Sequence, residues 1–301
     1  MKQHYVMGID NGGTVTKAAI YDRAGNVVAS ASKSTQMLTP KEFHTERDIN
    51  ELWAANVEVI KKAIAQSGID PSQIKGVAVT GHGNGLYMVD ETGAPVRNGI
   101  ISTDSRAKAW VEKWYRDPTF VSDILPKTMQ SIWAGQPVAL LAWLKENEPE
   151  TLCKARYIFM VKDLICFYLT GEAFLELTDI SGTNLINVRD RDYDTSLLAW
   201  WGLGDLRDKL PPIKLSTDCC GYITDDVAQL TGLCAGTPVS GGVFDISASS
   251  VASGINTLDK LAIITGTWSI NEYVTDHPVI DQDLFMTSIY PIEGKWLITE
   301  A

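Results

Sequence analysis

The sequence predicts an α/β fold from three observations: an opening antiparallel meander with a glycine-rich tip, one amphipathic helix, and an apolar strand of the kind buried on both faces of a sheet. Residues 5–9 alternate and run into Asp10-Asn11-Gly12-Gly13-Thr14, after which residues 17–21 (KAAIY) read as the returning strand of a hairpin. Ala24-Gly25-Asn26 then turns the chain into a third strand over 27–30. The helix spans 49–66, with Leu52, Val57, Ile60 and Ala63 among its apolar positions, and stops before Gly68. Residues 74–80 (IKGVAVT) are the buried strand.

Further along, residues 85–90 read as a strand turning through 91–95, and residues 104–115 as a helix. Residues 138–147 and 158–169 read as core helices, the second closed by Gly171. From Asp179 to Leu210 the pattern weakens into polar loops, where Asp190, Asp192 and Asp194 are spaced too tightly for a calcium-binding loop. Residues 237–243 form a strand containing Gly241-Gly242, followed by Phe244, Asp245 and a small-residue helix over 246–252. Strands at 261–264 and 270–274 flank a second glycine-tipped turn, Thr265-Gly266-Thr267, and the pair of hairpins suggests a duplicated design. Residues 296–301 read as the middle of a strand, so a shortened product is expected.

The charge balance, 26 Lys and Arg against 37 Asp and Glu for a net −11, comes without any basic cluster that could track a phosphate backbone. Nucleic acid is therefore excluded as a partner. With 45% hydrophobic and 21% charged residues, disorder is excluded as well. The five cysteines are odd in number and lack a metal-binding spacing, so neither a disulfide framework nor a zinc site is signalled. The N-terminal residues turn polar too soon for a signal peptide, and no apolar run approaches the roughly 18 residues of a membrane span. A cytoplasmic protein with no membrane partner is the expectation.

Chemistry concentrates at the turns. An acid ending a strand, Asp10, followed by Gly12, Gly13 and Thr14, leaves backbone N–H groups free to approach phosphates while the carboxylate can hold a hydrated Mg²⁺. The same residues also suit a plain hairpin tip, and no Walker A or G-x-G-x-x-G pattern opens a helix. Thr265, Gly266 and Thr267 offer a second such cradle, which strengthens the phosphate reading of both. Asp245 before a helix reads equally as an N-cap or as a functional carboxylate. His82 is one of four histidines, without the acid spacing of a triad; as a neutral imidazole it could donate to a ligand hydroxyl.

The segments GIDNGGTVTKAAIYD, GVAVTGHGNGLYMVDETGAPVRNGIISTDSRA, LTDISGTN, GGVFDISASSVASG and ITGTWSI, in this order and spacing, resemble the FGGY family of carbohydrate kinases along essentially the whole chain. Within the family the likeness is to kinases of L-xylulose and related ketoses. The resemblance implies an actin-like, ribonuclease H-like ATPase fold of the sugar kinase, heat-shock chaperone and actin superfamily. Residues 1–244 would be the N-terminal sugar-binding domain and residues 245–301 the start of a C-terminal nucleotide-binding domain. Family members are typically much longer than this chain.

The implied activity is ATP- and Mg²⁺-dependent phosphorylation of a sugar hydroxyl, with a ketopentose such as L-xylulose as substrate. Alternatives are erythritol or another polyol, a keto-sugar acid, or sugar binding without catalysis. By the same resemblance, Asp245 is the catalytic base and a sugar contact, and Asp10 the metal-associated acid. Gly12, Gly13, Thr14 and Lys17 form the first phosphate hairpin; Thr265, Gly266 and Thr267 form the second. His82, Gly83 and Asn84 form the sugar-facing loop, and Trp133 offers an aromatic face to the sugar. Glycerol kinases carry Arg-Glu where Gly83 and Asn84 stand and an aromatic where Ser102 stands, so glycerol is disfavoured. Asp104 and Arg106 keep an acid and base pattern expected to form a structural ion pair. The oligomeric state is left open, a homodimer included.

Overall fold

The computed structural model describes residues 4–265 and 269–300. Its first sheet opens with the expected meander, β1 (Tyr5–Asn11), β2 (Val15–Tyr21) and β3 (Val27–Ser34), all antiparallel. A short strand, β4 (Glu46–Arg47), leads into α1 (Ile49–Ser67). Asp48 caps α1 by accepting from the N–H groups of Asn50 and Glu51, and Gly68 closes it in the left-handed region at φ 63°. The apolar face is Leu52, Ala55, Val59, Ile60 and Ala63, with Asn56 rather than Val57 taking a fully buried place. α1 lies across β2 and β3 and returns the chain to β5 (Ile74–Gly81), which pairs parallel with β1.

The middle of the chain corrects the sequence reading in four places. The strand expected from residue 85 is only β6 (Tyr87–Val89), because Gly85 turns the backbone at φ 70°. After β7 (Gly99–Ile100), the helix expected from Asp104 starts later, as α2 (Lys108–Tyr115). The Asp104 carboxylate binds both the backbone N–H and the guanidinium of Arg106, which holds a turn there instead. Then come α3 (Leu125–Thr128), α4 (Pro137–Asn147) and α5 (Pro149–Lys154). The helix expected over 158–169 divides into β8 (Tyr157–Phe159), which pairs with β6, and α6 (Val161–Thr170). Its aromatic and β-branched start favours the strand. β9 (Leu175–Glu176) and α7 (Leu177–Ile180) lead into the expected polar loops, which contain α8 (Thr195–Trp200). Asp194 caps α8 and pairs with Lys127 at 2.6 Å, so its role there is structural.

The sheet is completed after β10 (Ile213–Lys214) by β11 (Cys219–Tyr222) and, beyond α9 (Asp225–Thr231), by β12 (Pro238–Ser240) and β13 (Val243–Phe244). The one strand expected over 237–243 is thus two, broken at Gly242, whose φ of 78° turns the chain. The strand order is β11-β12-β5-β1-β2-β3, with β13 also pairing β5. This mixed sheet with helices packed on it is the α/β, actin-like arrangement that the resemblance implied.

After α10 (Asp245–Ala252), β14 (Leu261–Thr265), β15 (Ser269–Thr275), β16 (Met286–Ile289) and β17 (Trp296–Glu300) form a second, antiparallel sheet in the order β14-β15-β17-β16. It has its own small core of Ile255, Val274, Tyr290 and Leu297. Its β16 edge is hydrogen-bonded to the first part of the molecule: Thr287 N–H donates to Met129 O at 2.9 Å, and Ile289 N–H to Ser181 Oγ at 3.0 Å. No helix among the described residues is long and apolar enough to cross a membrane.

Gly242 gives a direct test of this packing. A Cβ there would lie 2.0 Å from the Val79 carbonyl oxygen, on a backbone already at positive φ. Gly242→Ala is expected to destabilise the protein by about 2 kcal/mol or more in urea unfolding, whereas Gly25→Ala, also at positive φ but facing open space, should cost only about 1 kcal/mol.

Candidate functional site

Pairing register decides where the site lies. Asn11 stands opposite Gly81 in the parallel β1–β5 pair, and Gly81 stands opposite Phe244 in the β5–β13 pair. Three strands therefore end abreast, and the residues that follow them leave the sheet at one edge, where open α/β sheets bind ligands. There a cavity of about 420 Å³ is bordered by Gly13, His82, Gly83, Asn84, Trp133 and Asp245, together with residues 101–103, Phe285, Met286 and Thr299. The geometry brings together six of the thirteen candidate site residues singled out in the sequence, the five expected sugar contacts and Gly13.

Asp245 is the first residue of α10 rather than its cap, which is Phe244. Its Oδ1 accepts from the Ile246 N–H at 2.8 Å. Burial pushes its carboxyl up to about 7; repulsion from Asp10 and Glu272 adds to this, and hydrogen bonds from the Ile246 and Gly83 N–H groups oppose it. The strand before it is held from both sides: Thr80 Oγ1 donates to Val243 O at 2.7 Å, and Phe244 N–H donates to Thr178 Oγ1 at 3.0 Å. Gly83 allows the close approach, since a Cβ there would lie 2.0 Å from the Phe244 ring.

His82 is buried, with Nε2 2.9 Å from the Tyr87 hydroxyl and Nδ1 3.3 Å from Gly83 O. Burial, helped by the positive charge of Arg47, pulls its pKa down to about 4, so the ring is neutral. One tautomer satisfies both contacts, with Nδ1–H donating to Gly83 O and Nε2 accepting from Tyr87. The imidazole donor expected for a ligand hydroxyl is thus already engaged within the protein, and His82 holds the loop in place. Asn84 is different: at φ 59° and 4% exposed, its Oδ1 has no hydrogen-bond partner among the described residues. The Trp133 ring stacks on Phe285 with centroids 4.6 Å apart. Gln136 fixes that loop, its Oε1 accepting from the Trp133 N–H and from Asn184 Nδ2.

Asp10 and Lys17 do not border this cavity. They line a larger one of about 640 Å³, floored by the small residues of the β1–β2 face, with Lys17 Nζ 3.7 Å from Asp10. Burial raises the Asp10 carboxyl, and attraction to Lys17 opposes the shift. Thr14 is exposed at the hairpin tip and Thr265 at the end of β14. Gly266 and Thr267 lie outside the described residues. Asp104 and Arg106 form the expected buried ion pair at 2.9 Å, extended by Glu46 at 2.7 Å from Arg106.

Two features escaped the sequence reading. Phe285 just before β16, Met286 on β16 and Thr299 on β17 reach the cavity from outside every motif read in the sequence. Lys162 is fully buried at 2.6 Å from Asp163, 3.3 Å from Glu176 and 3.8 Å from Asp179. Glu176 caps α7 and accepts from Thr178 Oγ1, the same hydroxyl that receives the Phe244 N–H. A lysine followed by an acid inside the apolar run VKDLICF is the signal that would have found this cluster. Burial pushes Asp163 up to about 6 and Asp179 well above the usual carboxylate range, and the charge of the single lysine opposes both shifts.

Two outcomes follow for stability. Asp245 has a folded pKa above its unfolded value, so its stabilising contribution is complete at acid pH and is lost as pH rises through about 7. Asp245→Asn, which stays neutral, should raise the melting temperature at pH 8, and the gain should shrink steadily towards pH 4. Lys162→Met leaves three buried acids without their cation and should cost about 3–5 kcal/mol in chemical unfolding at pH 7.

Residues 5–252 match the family described as "FGGY family of carbohydrate kinases, N-terminal domain". The chain is 37% identical over 299 residues to a probable L-xylulose kinase of Pasteurella multocida, covering 99% of this chain and 62% of that protein. It is 35% identical over 304 residues to the L-xylulose/3-keto-L-gulonate kinase of Escherichia coli K12, covering 99% and 60%. It therefore spans about 60% of the length of the curated relatives it matches. Among solved structures, xylulose kinase from Rhodospirillum rubrum superposes with a TM-score of 0.91 at 24% identity, over 98% of this chain and 60% of that one. Plasmodium falciparum glycerol kinase with ADP gives 0.89 at 19% identity, over 99% and 61%. At these identities the likeness is one of fold.

Proposed function

Since the chain belongs to the FGGY family of carbohydrate kinases, we propose that it acts in transfer of a phosphoryl group from ATP to a hydroxyl of a ketopentose, with L-xylulose as the leading substrate. The names of the relatives at 35–37% identity support that sugar class, the Escherichia coli one adding 3-keto-L-gulonate. The observation that carries the reading is the Asp245 carboxylate, held at the cavity through contacts of β13 with β5 and α7 and raised to about 7. A base with a pKa near the working pH combines a large ionised fraction with real proton affinity. In this reading the sugar hydroxyl lies against Asp245, which accepts its proton as the oxygen attacks phosphorus in line.

The remaining residues position. Trp133, backed by Phe285, offers an aromatic wall to the apolar side of a sugar ring or chain. The unpartnered Asn84 Oδ1 is an acceptor for a sugar hydroxyl. Gly13 and Thr14 keep backbone N–H groups for phosphates, with Lys17 beside the hairpin, whereas the Gly12 N–H is taken by Val15 O at 3.1 Å; Thr265, Gly266 and Thr267 are the second phosphate turn in this reading. A magnesium ion takes one or two carboxylates and leaves its other positions to water and phosphate. Asp10 fits that need, with its carboxylate raised by burial and only 3.7 Å from the single cation Lys17. When bound, the ion would neutralise charge on the phosphates. We place the domain boundary at 244/245, which puts the base at the junction, and the site of action in the cytoplasm with ATP.

The test is phosphoryl transfer from Mg·ATP across a panel of ketopentoses, polyols and keto-sugar acids, with wild type and Asp245→Asn compared. L-xylulose should be turned over best, and kcat should fall by roughly 10²–10⁴ in the variant with little change in KM. In wild type, kcat/KM should rise with pH and level off above about 7, because Asp245 must be ionised to act. Undiminished turnover by Asp245→Asn would remove the residue from its role.

A further inference from the structure

Arg47 is fully buried, yet among the described residues it has no acid within ion-pair distance. The other fully buried cation, Lys162, and the deeply buried Arg106 are both paired with acids. Strand alternation explains the difference. Glu46 and Arg47 are neighbours on β4, so their side chains leave on opposite sides; Glu46 is taken by Arg97, Arg106 and Asn98. Arg47 is left facing the tip of the β1–β2 hairpin, where its Nη2 donates to Gly12 O at 3.0 Å and also to Gly13 O. Its Nε and Nη1 have no partner among the described residues.

Across a trans peptide the C=O and the next N–H point in opposite directions. Drawing the Gly12 and Gly13 carbonyls inward therefore turns the N–H groups of Gly13 and Thr14 away from the guanidinium. Neither of these amides donates to a backbone carbonyl among the described residues, Gly13 borders the Asp245 cavity, and Thr14 is exposed. We infer that Arg47 is a positioning residue for the hairpin: it clamps the tip with two amides aimed outward and supplies an uncompensated positive charge directly behind them. A buried charge is little screened by salt, so in a chain of net charge −11 it provides a local field that favours anions at this tip. The inference rests on the phosphate reading of the hairpin given above, and concerns a residue that would never touch the phosphate itself.

The test compares wild type, Arg47→Met and Arg47→Gln, each checked for folding by its melting curve, and uses two readouts. One is the ¹⁵N relaxation order parameter of Gly13 and Thr14 without ligand; the other is calorimetric binding of inorganic tripolyphosphate. In Arg47→Met the tip should loosen, from order parameters near 0.85 to below about 0.6, and tripolyphosphate affinity should fall at least about tenfold. Arg47→Gln keeps an N–H donor without the charge, so its tip should stay ordered while affinity still falls; it also stands in should Arg47→Met fail to fold. An ordered tip with undiminished binding in these variants would overturn the inference. A loosened tip in Arg47→Met, with no tripolyphosphate bound even by wild type, would uphold the clamp and remove the phosphate reading of the hairpin instead.

Discussion

The alignment of three strand ends is the constraint on which the rest of the molecule depends. Asn11, Gly81 and Phe244 lie abreast because β5 pairs in parallel with both β1 and β13, and a parallel register is fixed by the crossovers that deliver each strand. From that line the hairpin tip, the His82–Asn84 loop and Asp245 leave the sheet together. A shift of one residue in β13 would turn Asp245 toward the opposite face and replace it with its neighbour. Holding this register is the common purpose of contacts that look unrelated, among them the Thr80 bond to Val243, the Thr178 bond to Phe244 and the glycine turn before Val243.

Two buried cations serve that edge in opposite ways. Lys162 is outnumbered by Asp163, Glu176 and Asp179, and the network it anchors ends, through Glu176 and Thr178, on the backbone of Phe244. Its charge is satisfied and its effect is mechanical. Arg47 holds only carbonyl oxygens, and its charge reaches His82 strongly enough to help keep that ring neutral. One cation stiffens the strand that carries the carboxylate; the other stiffens the hairpin facing it. Removing either partner of a buried pair costs more than the pair contributes, which makes the first arrangement rigid. A charge without an acid partner leaves the second receptive to an anion.

Much of this was legible in the sequence where a local rule decided it. The meander, α1 and β5 follow from alternation, a 3.6-residue period and an apolar run, and the turns follow from their glycines. Asp245 was visible because two glycines and a small-residue helix bracket it. The failures are those of non-local contact. Tyr157–Phe159 becomes a strand only because β6 lies beside it, and Asp104 stays out of a helix because the Arg106 side chain and the Thr45 N–H claim its carboxylate. His82 carried no hint that Tyr87 would occupy its Nε2. Arg47 reads as an ordinary polar residue before a helix cap, and nothing within a window of ten residues shows that it is buried under a turn 34 positions earlier.

The electrostatics of the cavity tie the second sheet to the first. Glu272 on β15 is buried, with its carboxyl pushed up to about 7 by burial against a hydrogen bond from Ser250. Its negative charge, with that of Asp10, adds to the burial that raises Asp245. The two sheets thus act on one carboxylate, Asp10 from the hairpin side and Glu272 from the other, while Phe285 and Thr299 close the cavity from the second sheet. Any movement that drew the second sheet away would open the cavity to water and lower the Asp245 pKa together, since both the desolvation and the repulsion that raise it would weaken. Proton affinity at Asp245 is therefore greatest when the sheets are closest, which is also when water is best excluded. A carboxylate built this way holds its proton most tightly in the closed arrangement, and β16, hydrogen-bonded to Met129 and Ser181, is the strand that holds the sheets there.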